Sequence, residues 1–263
     1  MNDILLSFLL GIIQGLTEFL PISSSAHLLL PSLLFGLNDL GLSFEIAVHA
    51  GTLVAVIYYF RKEIALMSKS FLTHDENLLP HRNLAISLII ATIPIVFAGL
   101  FLKDLIEQRI FSVEHIALAN IVFAGILLFA YLKKKDTKNL YSVTLYSALF
   151  VGLFQSLALF PGASRSGTAI TAALLLGFNL KDASRFSFML GIPTIFGALV
   201  LLIIEMQSTL EIYDFMNLLI GFFISMFVAL LTIKFFLNFV EKIGMIPFVI
   251  YRIILGALLL IFI

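Results

Sequence analysis

The stretch FPGASRSGTAIT, residues 160–171, sets a proline, two glycines, two serines, two threonines and an arginine inside a hydrophobic run. The residues before it, 153–160, and after it, 172–176, are mostly apolar. The whole chain shares that character: of 263 residues, 61% are hydrophobic and only 12% charged. Soluble domains sit near half apolar and a quarter charged, so this composition is that of a membrane protein. A helix needs about 20 apolar residues to cross a bilayer. Six segments qualify: 44–60, 84–102, 113–132, 186–204, 215–237 and 247–263. Two further regions, 4–37 and 141–178, are apolar but broken, the first by EFLPISSSAH (18–27) and the second by the stretch quoted above. The fragments beside each break are too short to cross alone. Irregular polar backbone survives at membrane depth only where protein buries it or water reaches it. Each broken region therefore reads as a re-entrant hairpin: helix in, loop near the midplane, helix out.

The two broken regions resemble each other. GIIQGLTEFLPISSS begins at Gly11 and GLFQSLALFPGASRS at Gly152; both read Gly-x-x-Gln, an apolar stretch, then Pro and a serine-containing loop. The second copy is one residue shorter before its proline. Downstream, FEIAVHAGTLVA from Phe44 parallels FSFMLGIPTIFG from Phe186. The offsets are 141 and 142 residues, near half the chain length, which argues for an internal duplication. Each half then holds one re-entrant hairpin plus three crossings. Three is odd, so the second copy sits upside down, an arrangement known for broken-helix membrane folds. The expectation is an all-α polytopic membrane protein, a single membrane domain over 1–263. It comprises two inverted repeats, about 1–138 and 139–263.

Charge placement orients it. With Asn38, Asp39 and Glu45 on one side, the loops after 60, 132, 178 and 237 fall on the other. That other side collects Arg61, Lys62, Lys69, Arg82, Lys133, Lys134, Lys135, Lys138, Lys181, Arg185, Lys234 and Lys242, against Lys103 and Arg109 opposite. Lys and Arg accumulate in cytoplasmic loops, so the first hairpin enters from outside, the second from the cytoplasm, and their tips meet inside. With no Trp in the chain, Tyr must supply any aromatic belt. There is no cysteine, hence no disulfide or thiolate chemistry, and a net charge of zero makes no case for nucleic acid. The N-terminal MNDILLSFLL lacks the basic start and small-residue cleavage site of a signal peptide and reads as part of the mature protein. Lipid-facing and partner-facing apolar surfaces look alike, so a homo-oligomer is compatible with the sequence but not specified by it.

Ionisable groups inside a membrane are costly and point to function by default. The two tips bring Glu18, His27 and Arg165 together with Ser23, Ser24, Ser25, Ser164, Ser166 and Thr168. Arginine is a permanent cation whose planar fork suits phosphate. Serine hydroxyls and loop N–H groups donate to phosphate oxygens. A short helix starting at Thr168 would add its N-terminus, and Gly162 and Gly167 let backbone approach a ligand closely. Together these describe an anion site, best suited to phosphate. Arg165 could equally serve as the structural partner of Glu18, and the two roles are compatible. A carboxylate repels phosphate unless a cation intervenes. Mg²⁺ commonly takes one or two carboxylates plus substrate phosphates. Gln14, four residues before Glu18, shares its helical face and offers a carbonyl oxygen to a hard cation. His27 can act as general acid or base, or as nucleophile; a serine nucleophile activated by His27 is equally drawable. Glu45 and His49 form another i, i+4 pair with no assigned role, and His74, His81 and His115 read as solvated loop residues.

These residues resemble a known family. QGLTEFLPISSSAH and PGASRSGTAIT look like the two signature motifs of the bacterial undecaprenyl-diphosphate phosphatases, often called bacitracin-resistance proteins. The family patterns are [E/Q]-x-x-x-E and P-G-x-S-R-S-x-x-T. Gln14 and Glu18 match the first; Pro161, Gly162, Ser164, Arg165 and Ser166 match the second; His27 falls where the family carries its histidine. The final Thr would fall on Ala169, with Thr168 one position early and Thr171 two late. The first motif begins with Gln rather than Glu, which concentrates carboxylate chemistry on Glu18.

The resemblance implies an integral-membrane enzyme, dependent on Mg²⁺ or Ca²⁺, in the bacterial inner (plasma) membrane. It would hydrolyse undecaprenyl diphosphate to undecaprenyl phosphate and inorganic phosphate, recycling the lipid carrier of cell-wall precursors. On that reading Arg165 and the motif hydroxyls hold the terminal phosphate, and Glu18 with Gln14 places the cation. His27 attacks phosphorus or deprotonates Ser24 or a water. The rival is a transporter or flippase for a polyprenyl-phosphate lipid, since inverted broken-helix repeats also build transporters. Glu18 and His27 tilt the balance, because a pure transporter needs no acid–base pair.

Overall fold

The structure, a computed structural model, describes residues 3–36, 40–102, 112–206 and 214–262. Among these, every regular element is a helix. In chain order they are α1 (Asp3–Thr17), α2 (Ser24–Phe35), α3 (Gly41–Tyr59), α4 (Arg61–Leu72), α5 (Leu79–Phe101), α6 (Val113–Lys133), α7 (Leu145–Ser156), α8 (Arg165–Leu175), α9 (Leu180–Met206), α10 (Phe215–Ile243) and α11 (Ile246–Phe262). Helices α3, α5, α6, α9 and α10 are long and apolar enough to cross a bilayer, and α11 is an apolar helix of 17 residues. Their outward faces are large and apolar, with Phe97, Phe129, Phe196, Phe227 and Phe235 all exposed. An outside as greasy as the inside fits lipid, not water. The chain is a multi-pass, all-α membrane protein.

The six expected spans coincide with these six helices. The two broken regions are pairs of short helices: α1 with α2, and α7 with α8. Between α1 and α2 lies the loop 18–23; between α7 and α8 a 3₁₀ turn (Leu157–Leu159) leads into 160–164. Asn38, Asp39, Lys103 and Arg109 lie outside the described residues. His81 and His115 are not loop residues. His81 lies in α5 and packs edge-on against Tyr141, while His115 closes a capping box with Ser112 at the start of α6. Only His74 lies in a loop.

Packing between helices relies on small residues, as expected where lipid removes the hydrophobic incentive for association. Helix α1 packs on α10 and α7 on α5, so each hairpin's first helix lies against a long helix of the other half. The α7 contact depends on Gly152: a Cβ there would sit 2.4 Å from the Ala91 carbonyl oxygen. The α3–α10 contact depends on Gly51, whose Cβ would meet Phe222 O and Ser225 Oγ at 2.3 Å. Ser225 Oγ instead donates to Val48 O at 2.9 Å.

Several loops expected on the basic side join at one end. Arg185 bridges Glu63 and Asp182, both at 3.2 Å. Asn179 N–H donates to Lys138 O at 3.0 Å, and Leu140 N–H to Asp182 at 3.1 Å. Lys134 pairs with Asp136 at the same end. In the interior the two hairpin loops converge, with α9 and α11 bonded to them through Ser187 and Arg252.

Candidate active site

Each hairpin loop is bent by the residues the sequence puts there. In the first, Glu18 N–H still donates to Gln14 O at 3.0 Å just past the end of α1, Pro21 lies in the turn that follows, and Ser23 takes φ +72°. In the second, Phe160 before Pro161 is extended, as the residue preceding a proline prefers. Gly162 has φ +96° and Ser164 again φ +72°. Left-handed backbone at a non-glycine residue stores strain and tends to mark functional loops. Ser23 and Ser164 are separated by the repeat offset of 141 residues. Their hydroxyls also behave alike: Ser23 Oγ lies 3.3 Å from Ser25 Oγ, and Ser164 Oγ 3.3 Å from Ser166 Oγ.

Glu18 is the hub. It is buried, and its Oε1 accepts from Arg165 Nη2 at 3.2 Å across the two loops. Its Oε2 accepts from Gln14 Nε2 at 3.0 Å and from Ser24 Oγ at 2.9 Å. His49 on α3 aims Nε2 at the same Oε2 from 3.9 Å. The His49 Nδ1 lies 2.8 Å from Glu45 O, and a carbonyl only accepts, so Nδ1 carries the ring proton.

Arg165 sits at the first position of α8, so the helix begins three residues earlier than the expected Thr168. Besides Glu18, its Nη1 donates to Ser187 O at 3.3 Å on α9, and its Nε is buried with no partner. The guanidinium fits only because α9 has a glycine beside it: a Cβ on Gly191 would lie 2.7 Å from Nη1. Arg165 is thus a guanidinium fork paired to a carboxylate and a carbonyl, with one spare buried N–H.

The remaining expected residues divide. Ser24 joins Glu18 rather than His27. Ser166 Oγ donates to Leu20 O at 2.9 Å, tying one loop to the other. Ser164 caps α8 by accepting from Gly167 N–H at 3.1 Å. Ser25 is solvent-facing apart from its Ser23 contact. Thr168 turns its hydroxyl onto Arg165 O at 2.9 Å and Thr171 onto Gly167 O at 2.7 Å, so both donate to their own helix. Gly162 answers to packing as well as to its positive φ: a Cβ there would lie 2.6 Å from Ile116 O on α6. His27 donates from Nδ1 to Ser23 O at 2.7 Å, which leaves Nε2 to accept from the Tyr251 hydroxyl at 2.5 Å, with the rings stacked.

Two residues of α11, Tyr251 and Arg252, were absent from the expected site. Arg252 is fully buried. Its Nη2 donates to Gly162 O at 2.7 Å and Ala163 O at 3.0 Å, and its Nη1 to Pro21 O at 3.5 Å. The available signal was an arginine inside the apolar helix IPFVIYRIILGALLLIF.

A hard divalent cation suits the acceptors present. Gln14 Oε1 is buried without a partner beside the carboxylate of Glu18. One carboxylate and one amide oxygen are a fitting protein contribution for an ion that keeps waters and takes substrate phosphate. Among the described residues there is no cluster of three or more His, Cys, Asp or Glu.

The sequence model of the family described as bacitracin resistance protein BacA matches residues 7–258 of this chain. Relatives extend over its full length. A protein of Saccharophagus degradans named undecaprenyl-diphosphatase is 48% identical over 259 residues, covering 97% of this chain and 96% of its own. One from Alteromonas mediterranea with the same name is 45% identical, covering 97% of each. One from Pseudoalteromonas translucida, undecaprenyl-diphosphatase 1, is 44% identical, covering 96% of each.

Proposed function

The chain belongs to the bacitracin resistance protein BacA family, and from that premise and the site geometry we propose that it is an undecaprenyl-diphosphatase of the bacterial inner membrane. The observation that carries the reading is the Glu18–Arg165 pair, formed across two polar loops inside an apolar protein, with Ser24 on the same carboxylate. The names of full-length relatives supply the substrate.

Arg165, whose side chain keeps 12% exposure, holds the terminal phosphate with its guanidinium fork. Hydroxyls and first-turn amides of α2 and α8 complete the cradle. Ser24 is the favoured nucleophile, because its Oγ already donates to Glu18 while the His27 nitrogens are occupied by Ser23 and Tyr251. Ser24 Oγ bonds to the terminal phosphorus as its proton passes to Glu18. The anhydride P–O bond breaks and undecaprenyl phosphate leaves. Water then attacks the phosphoserine; the Oγ–P bond breaks and the serine oxygen recovers the proton from Glu18. Inorganic phosphate departs carrying both protons of the water, as dihydrogen phosphate. Glu18 and Gln14 Oε1 would hold Mg²⁺ or Ca²⁺, which neutralises charge on phosphoryl oxygens when bound. His27, held by Tyr251, then orients the Ser23–Ser25 loop through its bond to Ser23 O.

The test is phosphate release from undecaprenyl diphosphate by purified protein in detergent, with Mg²⁺, with Ca²⁺ and with excess EDTA. Release should stop with EDTA and return with either ion. Glu18→Gln and Ser24→Ala should each lose activity by about 100-fold or more while remaining folded, and phosphoserine should be trapped at residue 24 by acid quench. A folded wild type that binds the lipid yet releases no phosphate would point to lipid translocation instead.

A further inference from the structure

We propose that Arg252 is a positioning residue for phosphoryl transfer: it ties the first loop to the second and turns the Ala163–Ser164 peptide plane so that the Ser164 N–H faces the transferring phosphate, without touching substrate itself. The inference rests on the phosphatase reading above.

A buried guanidinium inside a membrane protein normally finds a carboxylate. Among the described residues Arg252 has none; its partners are Pro21 O on the first loop and Gly162 O and Ala163 O on the second. It is thus a single cation gripping two loops that lie far apart in sequence. The side chain is fully buried, so its effect on substrate must pass through those peptides.

Peptide geometry says what that effect is. No cis bond occurs among the described residues, and in a trans peptide the C=O and the following N–H point in opposite directions. Drawing Ala163 O toward Arg252 therefore turns the Ser164 N–H away from it. That amide heads α8, beside Arg165, and it donates to no acceptor among the described residues. The next amides, of Arg165 and Ser166, belong to the first helical turn and have no intrahelical acceptor either. Consecutive free N–H groups at a loop–helix junction make an anion nest. The unusual φ of +72° at Ser164 is the conformation that this alignment requires the chain to hold.

The surroundings are shaped to the same end. Gly167 lies against the clamp; a Cβ there would sit 3.1 Å from Ser164 Oγ and 3.2 Å from Arg252 Nη1. The neighbouring Tyr251 holds His27. One turn of α11 thereby fixes both loops and the histidine.

The experiment compares wild type, Arg252→Met, Arg252→Lys and Gly167→Ala as purified proteins. The readouts are kcat and KM with undecaprenyl diphosphate, and inhibition by orthovanadate, a mimic of the phosphoryl group in transfer. Arg252→Met should lower kcat and raise the vanadate inhibition constant, each by about 100-fold, with KM within about threefold. Arg252→Lys keeps the charge but not the fork and should fall between. A residue that only supports folding would reduce the active fraction and leave KM and the vanadate constant of that fraction unchanged; that result overturns the proposal. If Arg252→Met does not fold, Gly167→Ala decides. It should raise the vanadate constant about fivefold or more at unaltered melting temperature, and an unchanged constant would overturn the clamp. A wild type that neither hydrolyses the lipid nor binds vanadate would sink the phosphatase reading itself, and the clamp with it.

Discussion

Arg165 does two things that a lysine cannot do at once. Its Nη2 meets Glu18, its Nη1 meets Ser187 O, and its Nε–H stays free. Lysine would keep the charge, hold one partner and lose the planar fork. Arg165→Lys should therefore lower kcat/KM by about 100-fold or more while circular dichroism and thermal melting stay near wild type. Near-normal hydrolysis by that variant would remove Arg165 from the chemistry. The same guanidinium can be disturbed from outside. A methyl at Gly191 would lie 2.7 Å from Nη1, so Gly191→Ala must push the fork off its present axis. A shift of about 1 Å near a reacting centre can cost about 100-fold; a loss of about 10- to 100-fold in kcat with little change in stability is the expected outcome. Unaltered turnover in Gly191→Ala would mean the fork tolerates displacement and its alignment is not decisive. At this scale the sequence exposed charged side chains in greasy company: Glu18, His27 and Arg165 were all legible. Arg252 stood in equally greasy company, but its partners are backbone carbonyls, which leave no trace in residue identity. The pairing of Ser24 with Glu18 instead of His27 was illegible for a similar reason, since it depends on which way one short turn points its hydroxyl.

At the scale of elements, the two hairpins share a shape but not a chemistry. Ser23 and Ser164 have the same φ, and each hydroxyl approaches the serine two residues on. Gln14 and Gln155 both leave a buried Oε1 unpartnered. Yet the position matching Glu18 is Leu159, and the position matching His49 is Gly191. One hairpin brings the acid and the other the base-binding fork, and the long helix behind each is adapted to its own half: His49 reaches toward Glu18, whereas Gly191 makes room for Arg165. The broken helices could be read from sequence because proline, serine runs and charge coincide there. Where α8 begins could not, because its cap is Ser164 in a left-handed conformation that propensity does not favour. The packing glycines give this scale its prediction. Gly152 holds α7 against α5, with Ala91 O only 2.4 Å from where a Cβ would sit. Gly152→Ala must spread the two helices, at a cost of about 1–3 kcal/mol for overpacking. The detergent-purified variant should melt at lower temperature, with lost activity tracking lost folded protein. An unchanged melting point would show that the α5–α7 contact yields easily.

At the scale of the whole molecule, direction across the membrane decides how the halves meet. Read as a duplication with an odd number of crossings in each half, the sequence implies a second half inverted against the first. In the fold, α1 lies on α10, α7 lies on α5, and the two loops meet through the Glu18–Arg165 pair. The basic loops also converge, with Glu63, Lys138, Asn179, Asp182 and Arg185 linked by hydrogen bonds and ion pairs at one end. If that end is cytoplasmic, as the bias of Lys and Arg implies, then the starts of α6 and α10 face outward. The chain contains no cysteine, so single cysteines can report this directly. Lys62→Cys and Lys181→Cys should resist a membrane-impermeant maleimide applied to intact cells whose outer barrier has been opened, and react once the inner membrane is broken. Ser112→Cys and Asp214→Cys should react from outside in both conditions. A cysteine replacing Ser25, at the first loop, should react only slowly from outside and be protected by substrate, since the first hairpin opens to that side on this topology. Labelling of Lys62→Cys and Ser112→Cys from the same side would break the inverted arrangement. It would mean that α5, the one long apolar helix among the described residues between these two positions, does not cross the bilayer.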